Sequence, residues 1–298
     1  MNLHPFDSRL DAALRNVNDS LTGFPTTTVS SARPGQVWRA RWDDALALVF
    51  IDAILDGARN LVRVAPVSIG TDVADDTAVI LPIESSPLSV AMSVWPDLVT
   101  DIAEIVLERW ITGVETFASL AEVTAAANDG QLRRGLPVLN ELSPRHQERL
   151  LLELAMEVLS LAADLPSGNG RLEAILAGVS TATVAGVLNV DSRVALQILR
   201  GLVFIDRQQA HLLANVVDRD PRELLDANPA APDELLATMT ALRRGAAIRA
   251  LAAKQQVSES QAFSTALRGV FALAARKEGT TTDWVGRADS YFEVSLAS

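Results

Sequence analysis

Hydrophobic positions along this chain repeat with two different periods, and the change of period divides it. Over residues 7–21, Leu10, Ala13, Leu14 and Val17 fall at helical spacing and predict one amphipathic helix. A Thr- and Ser-rich linker follows, from Thr22 to Pro34. From Gln36 the period shortens to two. Val37 to Trp42, Ala45 to Ile54, Leu61 to Ser68, Thr77 to Ile83 and Ser89 to Trp95 read as short strands. They are separated by Asp, Gly and Pro turns such as Asp43-Asp44 and Asp56-Gly57. Five short strands with no helix between them predict a small SH3-like barrel. Beyond Thr116 the helical period returns and holds to the end. The fold class expected is therefore α+β, a small N-terminal SH3-like β-barrel followed by a larger all-helical region.

Within the helical part, start and stop signals fix several elements. Glu115 to Asn128 reads as a helix ended by Asp129-Gly130. Ser143-Pro144 pairs an N-cap with proline at the first helical position, opening a helix to Ala163 with Leu150, Leu151, Leu154, Val158 and Leu161. That leucine-rich helix reads as a core helix, with a dimer seam as the alternative; its heptads are too few for a coiled coil. After Pro229–Pro232, Asp233 is expected to cap a helix with Leu235, Leu236, Met239 and Leu242, continuing to Lys254. Ser258 and Ser260 are cap candidates for the next, with Phe263, Leu267, Val270, Phe271 and Ala274 inward. The last carries Trp284, Tyr291 and Phe292, aromatics expected to dock the tail onto the core.

Residues 178–225 hold the most informative pattern. Val184, Ala185, Leu188 and Val190 are apolar at helical spacing, Asn189-Val190 makes a tight turn, and Asp191 or Ser192 can cap a second helix. Gly201 follows Arg200 where that helix should stop. A third helix starts near Asp206 and carries Leu212, Leu213, Val216 and Val217. By pattern this is a helix-turn-helix.

The same segment resembles the Cro/repressor-type (XRE) DNA-binding domain. Gly178-Val179-Ser180 matches the family's opening, Val184-Ala185 its Leu-Ala pair, Asn189-Val190-Asp191 its turn, and Gly201 its closing glycine. Ala214 and Leu224-Leu225 fall at its later positions, with Pro221 starting the last short helix. The family's turn glycine is Asn189 here, and its usual glutamine at the start of the second helix is Thr181. The resemblance implies that the helix from Ser192 to Arg200 enters the major groove of operator DNA. It implies that Ser192, Arg193, Leu196, Gln197 and Arg200 face outward and that Thr181 holds a phosphate. It also implies a homodimer on paired half-sites.

The strand-rich block resembles the MazF/PemK toxin barrel. Pro34-Gly35-Gln36-Val37-Trp38 is similar to that family's opening strand, and Val64-Ala65-Pro66-Val67-Ser68 to its later strand end. The resemblance implies ribonuclease chemistry in its active members, for which Arg39, Arg41 and Ser68 are the weak candidates. The family's Arg-Pro after a glycine-rich loop is absent, and the aspartates of Asp43-Asp44 would repel RNA. The barrel is therefore expected to be a non-catalytic partner or dimerisation module.

Composition narrows the chemistry. Of 298 residues, 49% are hydrophobic and 21% charged, which excludes global disorder. The absence of cysteine removes disulfides, thiolate zinc sites and cysteine nucleophiles. His4, His146 and His211 lie too far apart to suggest a metal cluster, and no phosphate loop, nucleophile elbow or zinc-hydrolase motif is present. Asp75-Asp76 and Asp43-Asp44 read as solvated turn acids. No cofactor is expected, and neither a signal peptide nor a membrane span, so the protein is expected in the cytoplasm. The net charge of −11 opposes general nucleic-acid binding. Residues 168–228 hold six arginines against seven acids, whereas the stretch from Leu242 to Arg287 is basic.

These readings divide the chain into residues 1–33 (helix and linker), 34–114 (barrel), 115–166 (helical connector), 167–228 (helix-turn-helix) and 229–298 (C-terminal helices). The function expected is a sequence-specific DNA-binding regulator acting on double-stranded DNA as a dimer, with a possible protein partner through the barrel or C-terminal helices. Two alternatives stand beside it: a protein-interaction component of a toxin–antitoxin or defence system, and an RNA-cleaving toxin-like enzyme fused to its regulator.

Overall fold

A computed structural model of the chain describes residues 31–55, 57, 59–83, 90–114, 116–163, 168–205, 207–274 and 283–297. The helix expected over 7–21, most of the linker after it, Asp56, Ser89 and the cap Asp206 lie outside the described residues. The chain forms two compact units, residues 1–163 and 164–298.

The first unit is built on an antiparallel sheet: β1 (Gln36–Trp42), β2 (Ala45–Ile54), β3 (Leu61–Ile69), β4 (Val79–Leu81), β5 (Met92–Val94), β6 (Thr100–Ala103), β7 (Leu107–Gly113) and β8 (Arg133–Arg134). The strand order is β7-β1-β2-β3-β5-β4-β8, with β6 also pairing β3. β1 and β2 meet through the two-residue turn Asp43-Asp44, Trp42 pairing with Ala45 and Asp43 taking a left-handed φ of 51°. β6 runs antiparallel to β3, and after a single 3-10 turn over Glu104–Val106 the chain becomes β7, antiparallel to β1. One bent stretch of chain thus joins two strands that do not pair with each other.

Alternation explains the strands. On β1, Val37, Trp38, Ala40 and Trp42 are buried while Arg41 is exposed. β2 is apolar on both faces because both are covered. Leu48 and Phe50 share a core with Val37, Ala65, Val67 and helix α1 (Leu120–Asn128), and Val49 and Ile51 are also fully buried. The longer α2 (Pro144–Ser160) packs across β2.

Several local expectations shift. Three strands, β6, β7 and β8, add to the five read from the sequence, and β4 and β5 are shorter than their apolar runs. α1 starts at Leu120 rather than Glu115, because Ser119 accepts a hydrogen bond from the Glu122 backbone N–H as its N-cap. The first compact unit runs past residue 114, since α1, α2 and β8 all pack with the sheet. On α2 the inward residues are Leu152, Met156 and Leu159, whereas Leu150, Leu154 and, just past its end, Leu161 are exposed.

The second unit is helical. α3 (Leu172–Ile175), α4 (Thr181–Leu188), α5 (Ser192–Leu199), α6 (Arg207–Val217) and α7 (Pro221–Asp226) enclose a core centred on Val184, Ala195, Ile198, Leu213 and Leu224. Leu212 and Val216 point outward instead, because Ala210, Leu213 and Ala214 take the inner face of α6. α8 (Asp233–Thr240) begins after Pro232, so Asp233 is its first residue and not its cap. It does not continue to Lys254: Ala241 is extended, with ψ 140°, and a 3-10 turn leads to α9 (Gly245–Gln255). α10 (Glu259–Ala274) has Ser258 accepting from the Gln261 N–H, and α11 (Trp284–Ala297) buries Trp284 and Phe292.

Candidate nucleic-acid interface

The segment singled out in the sequence folds as two eight-residue helices, α4 and α5, joined by a three-residue turn. Ser180 opens α4 by accepting from the Thr183 N–H at 3.0 Å. Asn189 closes it in the left-handed conformation, φ 51° and ψ 48°, and the Val190 N–H returns to the Ala185 carbonyl. Asn is tolerated there because its short polar side chain lowers the cost of that region. Asp191 then caps α5, one carboxylate oxygen accepting from Arg193 and Val194 N–H at 2.9 and 2.8 Å. Gly201, φ 60°, ends α5 by sending its N–H to the Ile198 carbonyl, while the Leu202 N–H reaches Gln197.

With Ala195 and Ile198 locked inward, the opposite face of α5 is fixed by helical spacing. Ser192, Arg193, Leu196 and Arg200 are exposed and Gln197 is half-buried beside them. Thr181 is half-buried at the start of α4. The Asp191 carboxylate stands at the same end of α5 as Ser192 and Arg193, so the outward end of the helix carries both signs of charge.

The candidates on the sheet are arranged differently. Ser68 is 1% exposed, and the Trp95 indole N–H donates to its hydroxyl at 3.1 Å. Arg39 is tied to Glu108 of β7 across the sheet, and Arg41 is exposed on β1. Ser68 is thus closed off from solvent, whereas Arg41 faces it.

Two polar clusters were missed in the sequence. Asp75 is buried, 2% exposed, and its first oxygen accepts from the backbone N–H of Thr77 and Ala78 and from the Thr77 hydroxyl. Its second accepts from Arg149 of α2 at 3.2 Å, correcting the reading of Asp75 as a solvated turn acid. Arg149 also reaches Asp97 at 2.6 Å and Glu153 at 2.9 Å. Burial works against the Arg149 charge, but hydrogen bonds with Asp97 and Asp75 outweigh it and raise its pKa above the ordinary guanidinium value. In the second unit Asn228 is fully buried: its carbonyl oxygen accepts from the Ile205 N–H at 2.8 Å and its amide donates to the Ile205 carbonyl at 3.0 Å. It pairs with Ile205 as a strand neighbour would.

Among the described residues no group of three or more His, Asp or Glu is arranged to hold a metal ion, and no helix is long and apolar enough to cross a membrane. A cavity of about 580 Å³ opens beside α3 and α7, lined by Arg171 and Arg219 with Glu223 and Asp226 among others. Arg219 is already paired to Glu223 at 3.3 Å, so its lining favours no single sign of ligand charge.

No protein-family model, no curated protein and no solved structure matches this chain.

Proposed function

We propose that the chain is a sequence-selective, DNA-binding transcriptional regulator, in which α4 and α5 act as a Cro/repressor-type helix-turn-helix. The observation that carries the reading is the outward face of α5. Ser192, Arg193, Leu196, Gln197 and Arg200 share that face on a helix whose ends are pinned by Asp191 and Gly201. An exposed Arg recognises guanine O6 and N7 in the major groove, Gln the N6–N7 edge of adenine, and an apolar side chain the thymine methyl. Ser180 and Thr181 at the N-terminus of α4 would meet a phosphate with hydroxyl and backbone N–H groups.

The sheet unit fits this reading as an SH3-like, toxin-type shell that serves as a partner or ligand module in the cytoplasm. The passage of one bent chain from β6 on β3 to β7 on β1 supports the barrel form. Burial of Ser68 argues against the ribonuclease alternative, since an RNA-cleaving group must reach its substrate.

The test is binding of the purified chain to its own upstream DNA and to random duplex, at two salt concentrations, with Arg193→Ala and Gln197→Ala alongside. Arg193→Ala is expected to weaken operator binding by about 1–3 kcal/mol and to relax selectivity at one base. Binding indifferent to both substitutions would overturn the reading. One observation favours a second reading, in which α5 is a protein-docking face: six arginines in residues 168–228 are outnumbered by seven acids, and Asp191 sits at the reading end.

A further inference from the structure

We propose that α2 is the seam of a two-fold, antiparallel homodimer of this chain. Four exposed leucines mark it, two on the helix, Leu150 (44% exposed) and Leu154 (60%), and one just beyond each end, Leu142 (83%) and Leu161 (40%). A core helix has no need of them, because Leu152, Met156 and Leu159 already fill its inner face. From Gln147 the exposed positions run Gln147, Leu150, Leu154, Glu157, Leu161, at steps of three, four, three and four residues. That is the a/d spacing of a helix-to-helix seam, here on the side of α2 turned away from its own sheet.

The order of side chains selects the occupant. Read against a second copy running the opposite way, with Leu150 of one chain opposite Leu154 of the other, the seam is a palindrome. Gln147 then meets Glu157, and Leu142, just before the helix, meets the neighbourhood of Leu161. Each contact occurs twice, as an isologous interface requires. Gln147 already donates one amide hydrogen to the Leu142 carbonyl at 3.4 Å, which holds Leu142 beside the seam and leaves its second amide hydrogen for the facing Glu157 carboxylate. A parallel partner would set Glu157 against Glu157, a like-charge contact in an apolar seam. The four leucines bare on the order of 400 Å² per chain, about half of the ~800 Å² that a standard interface buries per partner. Half-buried Leu151 and Val158, flanking the seam, supply more. The proposal stands independently of DNA binding by α5.

The experiment uses the full chain without DNA. Light scattering after size exclusion is expected to give a dimer for the natural sequence and a monomer for Leu154→Glu. Circular dichroism of that variant should match the natural protein, since Leu154 is exposed. Because the chain has no cysteine, single Leu150→Cys and Leu154→Cys variants report the register. Mixed under mild oxidation they should form disulfide-linked dimer several-fold faster than either variant alone. A monomer at every concentration, a dimer indifferent to Leu154→Glu, or equal cross-linking of each variant with itself would each overturn the proposal. Loss of DNA binding in Arg193→Ala leaves it untouched, and failure of the dimer leaves the α5 reading to its own test.

Discussion

Removing the Asp75 carboxylate should unfold the first unit more easily than any surface substitution near it. Asp75→Ala deletes the acceptor for Thr77 N–H, one of two acceptors each for the Thr77 hydroxyl and the Ala78 N–H, and one of three carboxylate partners of Arg149. Hydrogen bonds to a charged group contribute about 1.5–3 kcal/mol each, and breaking a buried pair costs about 3–5 kcal/mol. The full sum is not reached here. Arg149 keeps Asp97 and Glu153, and Ala78 keeps the Asp75 carbonyl. The expected loss is therefore about 2–3 kcal/mol. Asp75→Asn keeps an oxygen for both backbone donors but sets an amide nitrogen, which cannot accept, where Arg149 donates, so it should cost about 1–2 kcal/mol. Urea unfolding followed by tryptophan emission measures both. Trp38, Trp42, Trp95 and Trp110 lie in this unit, and Trp95 shares a buried cluster with Ala74, Ala78 and Leu152. An Asp75→Ala change within about 0.5 kcal/mol of the natural protein would refute the reasoning, as would Asp75→Asn costing more than Asp75→Ala.

The other predictions concern the remaining polar anchors. Asn228→Ala should destabilise the second unit by about 2–4 kcal/mol in urea unfolding, and Asn228→Asp should not rescue it, because a carboxylate cannot donate to the Ile205 carbonyl. Asn189→Gly should leave the melting temperature near its natural value, whereas Asn189→Val should cost about 1–2 kcal/mol, a β-branched residue being strained at that φ. Asp191→Asn keeps the cap, so stability should stay within about 0.5 kcal/mol, while on the proposed DNA-binding reading the loss of a carboxylate from this end of α5 should tighten duplex binding several-fold at low salt. Since the Arg149 pKa is raised on folding, its ionic contribution is present below the unfolded pKa and is lost only above the ordinary guanidinium range. A double-mutant cycle of Arg149 with Asp97 should thus give the same coupling at about pH 7 and about pH 10.

What could be read in advance follows from how far each signal reaches along the chain. Asn189, Asp191, Gly201 and the Ser143-Pro144 start act on backbone groups a few residues away, so their roles are written locally. β1, β2 and β3 declared themselves by long alternating or apolar runs. β8 is two exposed arginines, with no pattern to detect, and exists because Ile80 and Val79 offer an edge. Asp75 looked like any turn acid because its partner Arg149 is 74 residues distant. Asn228 sat beside a proline break and gave no hint of Ile205. On α6, Leu212 and Leu213 are adjacent and equally apolar, and only tertiary packing decides that Leu213 turns inward.

The hydrogen bonds that close α3 to α7 carry a consequence for how such a sequence is assembled. The N–H groups of Asn169, Gly170 and Leu172 reach the carbonyls of Asp226, Asn228 and Ala227 at 2.7, 2.8 and 2.7 Å. Gly168 lies so close that an added Cβ would stand 1.7 Å from the Asn228 carbonyl oxygen, which leaves room for no other residue. The entry and exit of this helical group therefore coincide in space. A segment whose two ends meet can be spliced into a host loop, or cut out of one, while the flanking chain closes over the gap. The covalent limits of the group thus coincide with its spatial ones, the condition under which a loop tolerates an inserted segment.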